Sequence, residues 1–80
     1  MKLYFQNSEG KEKLIAEPTT HKDLWSKINE YLDQIGFKSY YTRVMSRDDE
    51  FIIDYGSHTE FFIVKDVVNP EDVIGDEMED

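Results

Sequence analysis

Cysteine is absent from the chain, so neither a disulfide nor a thiolate zinc site can staple a core this small. There is no uninterrupted run of about 18 apolar residues and no basic-then-apolar leader, which predicts a protein that neither spans a membrane nor is secreted; cytoplasm is the expected location. A glycine-rich phosphate loop is missing, as is any internal repeat or low-complexity block. Bases are scarce: nine Lys and Arg stand against eighteen Asp and Glu, a net charge of −9. A field of that sign opposes direct binding to nucleic acid and to anionic membrane surfaces.

The acidity is unevenly spread. After Lys65 come Asp66, Glu71, Asp72, Asp76, Glu77, Glu79 and Asp80 with no base, so residues 1–65 carry only −2 of the −9. The expected organisation is an α+β domain over residues 1–66 and a flexible acidic tail over 67–80. Such a tail acts as a solvated solubility segment or courts a basic surface on another protein.

Five Phe, five Tyr and one Trp are too many aromatics for a disordered chain. A chain of this size buries about 60% of its unfolded surface, enough for one core, so anything sizeable must bind on the outside. Residues 2–6 alternate, with Leu3 and Phe5 on one side and Lys2, Tyr4 and Gln6 on the other; turn residues from Asn7 to Lys11 and a return run over 13–16 complete a hairpin. Thr20 followed by Asp23 reads as a helix start. Leu24, Trp25, Ile28, Tyr31, Leu32 and Ile35 then recur at helical spacing, and Gly36 reads as the stop, with Phe37 folding back on the last turn. Three aromatic and β-branched runs follow at 38–45, 51–55 and 60–65, joined by hairpin-sized loops.

The order is β-β-α-β-β-β, and the expected architecture is two-layer, an antiparallel sheet packed on one helix. Phe51, Ile53 and Tyr55 share one face of the sheet, opposite Ile52 and Asp54; Phe62 and Val64 oppose Phe61 and Ile63. Both faces are thus apolar in part, whereas one helix covers one face. The excess wants a second layer, supplied by a homodimer or a partner protein. Beyond Pro70 a short helical turn is possible, with Val73, Ile74 and Met78 at the spacing of a small apolar stripe.

The densest chemistry lies in Asp54-Tyr55-Gly56-Ser57-His58-Thr59-Glu60. One imidazole with two carboxylates suits a metal by type, but the spacing is poor. Ser57 and His58 are adjacent, so their side chains diverge and do not form a nucleophile–base pair. The plainer reading is a polar hairpin turn whose Gly56 permits positive φ. No catalytic residue, metal or cofactor is expected. Lys38-Ser39-Tyr40-Tyr41-Thr42-Arg43 interleaves bases with aromatics as stacking platforms do; the alternative is that the two tyrosines split between faces and Arg43 pairs with an acid such as Asp54 on the next strand. The candidate partner-binding residues are Tyr41, Arg43, Asp54, His58 and Glu60, facing a host or phage protein or a second copy of the chain.

Ser39-Tyr40-Tyr41-Thr42-Arg43, continuing through Asp54-Tyr55-Gly56-Ser57-His58-Thr59-Glu60-Phe61-Phe62, resembles small proteins encoded in phages and prophages of Gram-positive bacteria, as does Lys13-Leu14-Ile15-Ala16-Glu17-Pro18. The resemblance covers residues 2–64 and omits the tail. It implies a phage origin and a host cytoplasm, and it brings no activity, cofactor or catalytic residue to carry over. By analogy, small acidic phage proteins often bind and block a host protein.

Overall fold

The computed structural model describes residues 1–39 and 41–75. Its elements run β1 (Lys2–Gln6), β2 (Glu12–Ala16), α1 (His21–Ile35), β3 (Arg43–Arg47), β4 (Glu50–Asp54), β5 (Phe61–Lys65) and a single turn of helix, α2 (Glu71–Ile74). All pairings are antiparallel, in the order β2-β1-β5-β4-β3. The two hairpins are therefore joined through β1 and β5, and β5 is the central strand. This is the expected α+β, two-layer arrangement.

Local chemistry explains the joints. Asn7 Oδ1 accepts the backbone N–H groups of Glu9 and Lys11, each at 3.0 Å, and so shapes the first hairpin loop. The β1–β2 register shifts between Leu3, opposite Ala16, and Tyr4, opposite Leu14, so Ile15 is an inserted bulge residue. At the start of α1, Thr20 Oγ1 accepts the Asp23 N–H at 3.0 Å while Asp23 reaches back to the Thr19 N–H. At its end, Gly36 takes φ 73° and Phe37 N–H donates to the Leu32 carbonyl at 2.9 Å, the bond that closes a left-handed stop.

Leu24, Ile28 and Leu32 of α1 are buried against Leu3, Ile53, Tyr55, Phe62 and Val64 of the sheet. Burying one such side chain stabilises by about 1.5–3 kcal/mol. The face under the helix is thus the one carrying Phe51, Ile53 and Tyr55. Ile35, expected on the buried stripe, is 46% exposed at the last position of the helix. Phe37 turns to the sheet and packs edge-on against Tyr55, centroids 4.9 Å apart.

Both ends of the third strand differ from the sequence-based reading. The residue 46–50 loop is a two-residue turn: Arg47 pairs with Glu50, and Asp48 takes φ 52°. Strand β3 starts at Arg43, five residues later than its apolar composition suggested. Packing against the core also continues beyond residue 66. In α2 Val73 is fully buried in the core cluster, and the Trp25 indole N–H donates to the Val73 carbonyl at 3.1 Å. Of the expected tail, Asp76 to Asp80, with Met78, lie outside the described residues.

A candidate docking surface

Among the described residues no helix or further strand covers the sheet opposite α1, and strand register assembles that face row by row. Leu14 pairs with Tyr4, Tyr4 with Ile63, Ile63 with Ile52 and Ile52 with Met45, an apolar row crossing all five strands. Its ends are open, Leu14 at 45% exposure and Met45 at 42%. Its centre is closed: Ile63 is fully buried although it is not part of the core under the helix. Tyr4 pairs with Ile63 directly, and Lys65 lies two residues along on the same side of β5. Lys65 holds its ammonium 5.0 Å from the Tyr4 ring centroid while bonded to Glu12 at 2.7 Å and near Glu50 at 3.9 Å, a span that carries its stem across the centre of the row. Long charged side chains cover apolar surface with their stems in this way.

The charges around the row neutralise one another. Arg43 pairs with Asp54, Arg47 with Glu50, Lys65 with Glu12 and Lys2 with Asp66. Those four cations and four acids cancel, so five cations and fourteen acids, the whole of the −9, lie elsewhere on the chain.

The sequence-predicted residues gather at one end of this face. Arg43 Nη2 donates to Asp54 Oδ2 at 3.0 Å, and its guanidinium stands 5.9 Å from the Tyr41 ring centroid. Asp54 Oδ1 accepts the Gly56 N–H at 2.9 Å. That bond, then the Arg43 partner, holds the Asp54 carboxyl below its usual range, and the same pairing raises the Arg43 guanidinium. Tyr41 is 51% exposed and His58 is exposed in the loop, its charge also favouring ionised Asp54. Glu60 does not join this group. It lies toward Tyr55, whose buried hydroxyl has no hydrogen-bond partner among the described residues and whose pKa is raised by burial and then by the Glu60 charge. Ser57 Oγ accepts the Thr59 and Glu60 N–H groups at 3.4 and 3.2 Å, the local turn bonding that the plainer reading assigned to it. Tyr40 lies outside the described residues.

The apolar row itself escaped the sequence-based choice of residues, since Leu14 and Met45 meet the rest only once strand order is known. Two shallow hollows are also present. One of about 350 Å³ lies between β2 and α1 beside Ile15, Ala16 and Tyr31; another of about 410 Å³ is lined by Asp48, Asp49, Asp66, Phe51, Val67 and Pro70. Among the described residues no group of three or more His, Asp or Glu is placed to hold a metal, and no helix is long and apolar enough to cross a membrane. Neither the family models, nor the curated proteins, nor the solved structures searched contain a match to this chain.

Proposed function

We propose that the chain is a non-catalytic protein-binding module that docks its partner on the sheet face opposite α1, with Tyr41, Arg43, Asp54 and the His58 loop at the rim. Occlusion of the partner's own surface is the mechanism. The observation carrying this reading is the apolar row from Leu14 to Met45, which ends in exposed side chains on a face whose charges are already neutralised. Docking there removes apolar surface from water without stranding an unpaired charge, the arrangement that gives an interface core its affinity. The phage resemblance supports a partner in the cytoplasm of a Gram-positive host, either a host factor or a phage protein.

A photo-crosslinking residue at Met45, compared with one at exposed Asn29 on the outer side of α1, tests this in Gram-positive cells. Crosslinks to protein from Met45 and not from Asn29 are expected. Equal yields from both, or none from Met45, would overturn it.

A further inference from the structure

We infer that the occupant of this face is a second copy of the same chain, related by a two-fold axis running along β5; the inference rests on the docking reading above. With β5 central, that axis maps β1 onto β4 and β2 onto β3. The register then sets what meets across the interface. Leu14 faces the other copy's Met45, Tyr4 faces Ile52, and Ile63 faces Ile63, so the apolar row lies on itself.

The charges agree with the same axis. Glu12 is level with Gln6 and Phe61 on one side of the row, and Arg43 is level with Asp54 on that same side. Glu12 of each copy therefore faces Arg43 of the other. On the opposite side Lys2, level with Lys65, faces Glu50, level with Arg47. A two-fold axis across the strands instead would set Asp54 against Glu50 and Arg43 against Arg47, which like charges forbid. Aligned sheets pack at about −30°, and Glu and Arg side chains are long enough to span the resulting offset at the outer strands. Lys65 meets its own copy near the axis, but each is drawn aside over Tyr4 to Glu12.

Net charge restricts the choice of face. Two chains of −9 repel, and this is the surface on which the described charges cancel. Five strands give a face about 24 Å wide, and three side-chain rows give about 17 Å along the strands. The footprint is on the order of 400 Å² per copy, about half that of a standard interface, so a weak, reversible dimer is expected.

The test is sedimentation equilibrium of the full chain from about 5 μM to about 500 μM, a span that brackets weak association. Wild type is expected to move from monomer to dimer across it. Glu12→Lys alone and Arg43→Glu alone should each stay monomeric, because each makes both inter-copy contacts repulsive. Mixed in equal amounts they should dimerise again, since the mixed pair restores both contacts. Folding of each variant, checked by circular dichroism, cannot imitate recovery on mixing. A wild-type monomer at the top concentration, or a mixture no more associated than its components, overturns the dimer. If Met45 still crosslinks to a different protein, the docking surface stands and only its occupant is wrong; if Met45 crosslinks to nothing, both readings fall.

Discussion

The two faces of this sheet use similar residues and reach burial by different means. Under α1, Phe62 touches the rings of Phe5, Tyr31 and Tyr55 at centroid distances of 5.6, 5.8 and 5.2 Å, with Leu24, Ile28 and Leu32 packed above. On the other face Ile63 is just as inaccessible, yet among the described residues no helix packs there, and the span of Lys65 from Tyr4 to Glu12 and Glu50 is what is placed to cover it. Solvent exclusion therefore does not imply a second layer. It does show where such cover ends, since the Lys65 bridge protects the centre of the row and leaves Leu14 and Met45 open.

Truncating each face at its centre separates rigid packing from soft cover. Phe62→Ala should cost about 3–5 kcal/mol, because the rings around it are held by α1 and cannot collapse into the space. Ile63→Ala should cost only about 2 kcal/mol, the low end for such a deletion, as Tyr4 and Lys65 can settle into the gap. Urea denaturation of both variants gives the comparison, and equal losses would mean that the open face is packed as firmly as the core.

Much of this fold was legible in the sequence because short-range rules dictate it. The period-2 run of β1, the Thr20 to Gly36 helix signals and the three later strands all appear, as does the Arg43–Asp54 pair. What was not legible depends on long-range pairing. Ile52-Ile53 and Phe61-Phe62-Ile63-Val64 are apolar on both sides, so periodicity cannot say which side meets a helix. Only the β1–β5 pairing puts Phe5 beside Phe62 and Tyr4 beside Ile63. Residues 67–75 read as tail because the segment after Lys65 carries acids and no base and has no clean period; the burial of Val73 anchors them. Of the five candidate contact residues, Tyr41, Arg43 and Asp54 form one contiguous group, His58 acts on it by charge, and Glu60 lies apart, because positions 54 and 60 sit at opposite ends of the loop.

Asp54, the last residue of β4, and Tyr55, the next residue, point to opposite faces, which sharpens the comparison for polar groups. Asp54 is satisfied by Gly56 and Arg43. Asp54→Asn should cost about 1–2 kcal/mol at neutral pH, the scale of a hydrogen bond to a charged group. Its carboxyl is held below the ordinary value, so this stability is present above about pH 3.9 and is lost as pH falls through the folded-state pKa. Melting temperatures of wild type and variant should converge on acidification. A gap that stays constant down to about pH 2 would mean that ionised Asp54 contributes nothing.

Tyr55 gives the smallest effect and the opposite sign. Its hydroxyl is buried on the helix face without a partner among the described residues, so removing it strands no described donor or acceptor, and the ring contacts to Phe37 and Phe62 persist. Tyr55→Phe should therefore leave stability unchanged or raise it by up to about 1 kcal/mol at neutral pH. Because burial raises the phenol pKa, the wild type keeps its full stability below about pH 10 and loses it as pH rises through the folded-state value, whereas the variant lacks that loss. The variant's advantage should consequently widen in alkaline solution. A loss of about 1 kcal/mol at neutral pH would instead mean that the hydroxyl is hydrogen-bonded in solution, with Ser57 or Glu60 the nearest polar groups to accept from it. In that case both faces would satisfy their polar groups, and only the helix would distinguish them.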